Sequence, residues 1–291
     1  MDVRFNNFLG LEPRYSDYTS ARFVILPIPY DATASFRSGA RFGPSAIIAA
    51  SEHLELFDEE LGGEFHRCGI ATLDPLAPNA AGPQAMHDDV FGYARRVVRN
   101  GKTPIALGGE HGITSGLVRA VGTRHKKLSV LHLDAHADLR DEYEGSGYSH
   151  ASVMRRVLDY ADVVVPVGLR NYSREEHRFM NKAGITPIRA RRCHTSQGWP
   201  DEVLRTLTDN VYVTIDIDVF DPAGAPGTGT PEPGGLDWYQ VTGLLRRVAA
   251  EKTIVGVDIV EVMPIPGQSV TEYLAARLAY KLIGMIQAGE R

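Results

Sequence analysis

Six short apolar runs punctuate the chain, at residues 23–27, 104–107, 128–133, 163–167, 211–217 and 254–260. Each is aliphatic or β-branched at successive positions rather than at every second one, the pattern of parallel strands covered on both faces. Pro104 and Pro166 fall within or beside two of them, where a missing ladder donor leaves the strand ends open. Between the runs the apolar spacing changes to the helical one. Val90, Ala94, Val97 and Val98 make one stripe, and Val241, Leu244, Leu245 and Val248 another. Asp237 with Gln240 three residues on marks the start of the second of these helices, and Ser269 with Glu272 the start of a last one that carries Leu274, Leu278 and Leu282. Strand and helix alternate, so the expected fold is α/β, a three-layer α/β/α sandwich around a mostly parallel sheet. Residues 77–83 read as a loop and residues 1–20 as an irregular arm. With no internal repeat and no long Ser/Gly/Pro linker, one domain spanning residues 1–291 is expected.

Composition narrows the class little. The 291 residues are 43% hydrophobic and 23% charged, ordinary for a globular domain. A net charge of −5 and no basic cluster beyond Arg189, Arg191 and Arg192 give no footprint for nucleic acid. No window is long and apolar enough to span a membrane, and the start of the chain lacks the apolar segment of a secretory signal. Two cysteines, Cys68 and Cys193, make no disulfide framework or zinc spacing. A cytoplasmic protein with free thiols is expected.

The candidate chemistry changes the picture. Open parallel sheets bind ligands beyond the carboxyl ends of their strands, and that is where the unusual residues fall. After the run at 128–133 come Asp134, His136 and Asp138, spaced so that extended backbone would present them on one face. An imidazole between two carboxylates suits Mn²⁺ or a similar ion. Asp216 and Asp218 repeat the spacing inside an apolar run, where unpaired carboxylates are costly and raise one another's pKa. His111 sits among Gly108, Gly109 and Gly112 after the run at 104–107. Four aspartates carry four negative charges, which two divalent ions neutralise, so the arithmetic favours two metals over one. His132 is expected to be structural and to point away from this group.

With these segments in place, the chain resembles the ureohydrolase family of arginases and agmatinases. The resemblance rests on SFRSGARFGPSAI (35–47), GGEHG (108–112), DAHAD (134–138), TIDIDVFDP (214–222), GTGTPEPGGL (227–236) and VGVDIVEVMP (255–264), in the family's order. It implies an eight-stranded parallel sheet, two Mn²⁺ per chain held by His111, Asp134, His136, Asp138, Asp216 and Asp218, and hydrolysis of a guanidino group to urea and an amine. It also implies that Glu261 pairs with the substrate guanidinium, that Asp138 carries a proton to the leaving nitrogen, that His150 relays protons, and that the chain forms a homo-oligomer, a trimer or hexamer.

The substrate tail is less constrained. Arginases resemble this chain less closely: Arg140 stands where they place an asparagine, and the tract Asn171-Tyr172-Ser173 lacks the acidic residues they carry there. The glycine-rich segments resemble agmatinases, so agmatine, giving putrescine and urea, is the expected small-molecule substrate. Arg140 directed into the cleft would instead suit a carboxylate tail, as in a guanidinobutyrase. A mononuclear zinc deacetylase and a non-catalytic, metal-stabilised scaffold are the readings from other classes. The first needs only one metal, and the second gives no reason for the full set of ligands with Glu261 and His150.

Overall fold

The computed structural model describes residues 6–289. All six apolar runs are strands, and two short strands complete the sheet. In chain order they are β1 (Phe23–Ile28), β2 (Ile70–Thr72), β3 (Thr103–Gly108), β4 (Leu128–Leu133), β5 (Val163–Leu169), β6 (Ile188–Arg189), β7 (Asn210–Asp216) and β8 (Thr253–Val260). They form one eight-stranded sheet in the order β2-β1-β3-β8-β7-β4-β5-β6, with every pairing parallel. A separate two-stranded ribbon pairs Phe57–Asp58 with Gly63–Glu64.

The runs are apolar at every position because both faces of the sheet are covered. In β1, Phe23 and Ile25 point into one core while Val24, Leu26 and Ile28 point into the other. The principal helices are α1 (Gly43–Ser51), α2 (Pro83–Arg99), α3 (Thr114–Gly122), α4 (Arg174–Ala183), α5 (Trp238–Glu251) and α6 (Val270–Gly289). Helices α1, α5 and α6 pack on the first face through residues such as Ile47, Leu245 and Leu278. Helices α2, α3 and α4 cover the second through Val90, Leu117 and Met180. The expected stripes are the buried faces of α2 and α5. The Asp237/Gln240 capping box is formed, and α6 begins one residue after Ser269. No helix among the described residues is long and apolar enough to cross a membrane.

The N-terminal arm departs from the expectation. Residues 1–5 lie outside the described residues, but the rest contains the helical turns Phe8–Gly10 and Pro13–Ser16 and buries Phe8, Leu9 and Leu11 in the first core. Its apolar residues are a plug rather than an irregular tail. Residues 73–82 carry no helix or strand, so the loop expected over 77–83 is there except at Pro83, which opens α2.

Candidate active site

Strand order explains why distant segments meet. The neighbours β3, β8, β7 and β4 are the middle of the sheet. Their carboxyl ends lead into His111, Glu261, Asp216 with Asp218, and Asp134 to Asp138. Four loops separated by up to 150 residues are thereby placed side by side.

The donors converge closely. Nδ1 of His111 lies 3.0 Å from a carboxylate oxygen of Asp134, 3.1 Å from one of Asp138 and 3.5 Å from one of Asp216. Nδ1 of His136 lies 3.0 Å from Asp218 and 3.6 Å from Asp134. All but His136 are buried. Among the described residues, no lysine or arginine stands within ion-pair distance of any of the four aspartates.

The convergence does not come from alternating positions on extended strands, as the spacing suggested. Asp134 directly follows β4, but the chain then turns. His136 makes an isolated bridge to Asn171, and Asp138 adopts a left-handed φ of 51°. Asp216 ends β7, whereas Asp218 lies in the 3-10 turn Ile217–Val219, which Asp216 caps. Its N–H donates to Asp216 at 2.9 Å, and its own carboxylate accepts the N–H of Ala135 at 3.0 Å. Glu261 also has a left-handed φ, 62°, and accepts the N–H of His111 at 2.7 Å. Non-glycine residues rarely hold this conformation without compensation from their surroundings.

Behind the donors lies a buried network that the sequence reading missed. The hydroxyl of Thr214 donates to Asp258 at 2.6 Å, so its oxygen is left to accept from Nε2 of His111 at 2.9 Å. Thr114 and Tyr212 donate to the other oxygen of Asp258. This fixes the proton of a neutral His111 on Nε2. Its Nδ1, buried and without a hydrogen-bond partner, then presents a lone pair to the carboxylates. An orphaned ring nitrogen facing clustered acids fits a divalent cation, and a hydrogen-bonded second nitrogen is the usual support for an imidazole ligand. The available signal was Asp258, a charged residue inside an apolar run.

His132 corrects the expectation that it points away from the group. Its Nε2 lies 2.8 Å from Asp134, against the carboxylate oxygen that also faces His111. Burial opposes the charge of Asp134, but the His132 imidazole beside it outweighs this and holds the carboxyl well below its usual range. Asp216 goes the other way: burial, with Asp218 and Asp134 nearby, pushes it well above. Burial also lifts Glu261 to about 8, partly offset by the His111 N–H, and Glu110 to about 7 against the bonds it accepts from Thr33. Burial lowers His150, favouring its neutral form.

A cavity opens over this cluster, walled by His136, Asp138, Asp216 and Glu261 below and by Arg140 and His150 above. Arg140 therefore does line the cleft. Its guanidinium carbon sits 5.0 Å from the centre of the Tyr143 ring, and its N–H is held by Ala151. Tyr143 in turn meets the His150 ring edge-on at 5.8 Å. Arg37 and Phe36, from the loop after β1, also face the cavity. The tract Asn171–Ser173 is free of acids, as read, but Glu176 one turn into α4 lines the cavity. Its carboxylate accepts the N–H groups of Leu139 at 3.1 Å and Ser173 at 2.7 Å, completing a capping box with Ser173.

A parallel αβα sheet with a buried His/Asp cluster at its carboxyl edge defines a metal-binding α/β protein of the arginase type. The chain belongs to the arginase family, whose model matches residues 21–284. It is 42% identical over 277 residues to the N(1)-aminopropylagmatine ureohydrolase of Synechocystis, covering 92% of this chain and 90% of that one. Identity to a protein of the same name from Thermus thermophilus is 44%, covering 94% and 93%. The agmatinase of Pyrococcus horikoshii is 36% identical over 92% and 93%. Among solved structures, the agmatine ureohydrolase of Thermoplasma volcanium superposes with a TM-score of 0.88 at 33% identity, over 98% of this chain and 95% of that one.

Proposed function

We infer that the chain is a divalent-metal ureohydrolase, one domain over residues 1–291, that hydrolyses a guanidine carried on an aliphatic amine. Agmatine and its N(1)-aminopropyl derivative are the substrate class. The observation that carries this reading is the convergence of His111, Asp134, His136, Asp138, Asp216 and Asp218 beside Glu261, without a side-chain cation among the described residues. These six residues would hold two ions, and the mixed nitrogen and oxygen donors suit Mn²⁺. Such a pair supplies Lewis acidity and a water acidified toward neutral pH.

The chain's own groups do the rest. Glu261, kept by burial from holding its charge easily, gains a partner when a guanidinium enters, and paired N–H bonds to its carboxylate orient the planar carbon for attack. Its oxygen is positioned beforehand by the His111 N–H. Asp138, on the cavity wall and in the cluster, carries the proton of the attacking water to the departing nitrogen. An amine leaves poorly unless protonated. His150, neutral and facing the cavity, exchanges protons with solvent. A homo-oligomer, trimer or hexamer, in the cytoplasm is proposed from the family likeness alone, and light scattering tests the assembly.

One observation favours a second reading of the tail. Arg140 and Arg37 both face the cavity, and Arg140 has no carboxylate within ion-pair distance among the described residues. That suits an acid-tailed guanidine such as 4-guanidinobutyrate. The experiment is urea release by Mn²⁺-loaded protein with agmatine, N(1)-aminopropylagmatine, arginine and 4-guanidinobutyrate in parallel. Turnover of one or both amine-tailed compounds is expected. Turnover of 4-guanidinobutyrate alone transfers the assignment to the acid-tailed class, and no urea from any of them overturns the ureohydrolase reading.

A further inference from the structure

Beside the cavity, a second, partly buried chain of polar groups ends on His150. Glu110, 1% exposed, is the one carboxylate of the GGEHG segment. It accepts two bonds from Thr33, the backbone N–H at 2.6 Å and the hydroxyl at 2.8 Å. The Thr33 oxygen, in turn, lies 3.1 Å from the backbone N–H of His150 and 3.2 Å from its Nδ1. Space for this arrangement is reserved in the backbone. A Cβ at Gly112 would stand 2.8 Å from the Glu110 carboxylate and 3.5 Å from the His150 nitrogen. A Cβ at Gly109 would strike the Tyr30 carbonyl at 2.1 Å. The two glycines thus hold the β3 loop against the segments carrying Thr33 and His150.

A hydroxyl has one proton. In its ionised form Glu110 can only accept, so the Thr33 proton then goes to Glu110. The Thr33 oxygen is then an acceptor on its other side, for both the backbone N–H and the Nδ1–H of His150. A neutral His150 consequently carries its proton on Nδ1, and its unprotonated Nε2 is the nitrogen near Ser35 in the cavity mouth, 3.4 Å from that hydroxyl. We propose that Thr33 and Glu110 are positioning residues that fix the His150 tautomer, so that the nitrogen offered to the reaction is the proton acceptor whenever His150 is neutral. The proposal rests on the ureohydrolase reading for its consequence in turnover, but not for the tautomer itself.

The test separates the two. In the Zn²⁺-loaded protein, with histidine labelled in nitrogen-15 and His150 assigned by its loss in His150→Asn, neutral His150 must show its proton on Nδ1. Finding it on Nε2 overturns the proposal whatever the substrate proves to be. In the Mn²⁺ enzyme, Thr33→Val keeps the side-chain shape without the hydroxyl. It should lower kcat about 10-fold, part of the roughly 10²-fold or more a placed acid–base group contributes. KM and bound metal should stay within about 2-fold, since the lost group is matched to proton transfer rather than to binding. Thr33→Ser should restore both kcat and the tautomer signature. An unchanged kcat in Thr33→Val, or one that Thr33→Ser does not rescue, overturns the proposal. Absence of turnover in the unaltered enzyme with normal His150 spectra would instead sink the substrate reading alone.

Discussion

Two groups of buried acids in this protein are balanced in different ways. Asp58, on the two-stranded ribbon, is 1% exposed and meets the Nζ of Lys281 at 3.0 Å, itself 1% exposed in α6. Glu60 closes the same ammonium at 3.0 Å, and the N–H groups of Glu60 and Leu61 add to Asp58. At the carboxyl edge of the sheet, by contrast, four aspartates and Glu261 gather with only imidazoles among them. The ribbon acid brings its own cation from the same chain and is complete on folding. The site acids leave their charge to be balanced from outside. A buried acid alone therefore does not mark a function, whereas a cluster of them without a lysine or arginine does.

The contrast can be broken most severely at the site. Asp138→Asn should reduce urea release by about 10³-fold, within the range for a group that both binds metal and moves a proton. Elemental analysis should also show less than the full complement of metal, and full retention with normal turnover would refute both roles. The ribbon should respond in stability instead. Removing one partner of a buried pair costs about 3–5 kcal/mol, so Lys281→Met should lower the urea-unfolding free energy by that amount while activity per folded molecule is kept. Asp58→Asn in the same chain should recover part of the loss.

Divalent ions sharpen the comparison further. A ligand at 100 times its Kd stabilises by about 2.7 kcal/mol. Mn²⁺ should therefore raise Tm in the wild type and in Lys281→Met alike, and chelation should reverse the rise in both. Dependence of that shift on Lys281 would mean the two regions are coupled. The smallest effect lies in acid. Burial pushes Asp58 up, but the Lys281 bond and charge, the Leu61 N–H and Arg277 outweigh it, so its folded pKa is depressed. Its contribution is full above the ordinary carboxylate range near about 4 and is lost as pH falls through the lower folded value. The unfolding midpoint of Lys281→Met should thus fall less steeply with acid than that of the wild type.

Much of this was legible in the residues. Runs as long as β1 or β8 declare themselves by being apolar throughout. Strands of three and two residues, β2 and β6, have no such length, and their place at the sheet edges follows from the fold around them. The six donors were marked by residue type and by their position after runs. How they converge was not: the bend at His136 and the placing of Asp218 involve contacts with Asn171 and Ala135, far along the chain. His132 was misplaced for a different reason: it stands two residues before Asp134, so strand alternation already put the two on one face. Nothing in the residues singled out Thr33, Glu110 or Glu176, because partners such as His150 and Leu139 are distant in sequence.

The position of β8 has a consequence for how the molecule is made. It is the last strand in the chain and lies between β3 and β7, so the middle of the sheet cannot close until residue 260 has been synthesised. Until then β3 and β7 present unpaired edges, the kind of surface that invites association between growing chains. Glu261 arrives with that same strand. A nascent chain can therefore gather the aspartates of β4 and β7 early, but it cannot grip a substrate until the final strand has slotted into the gap. Competence and closure of the sheet are one event.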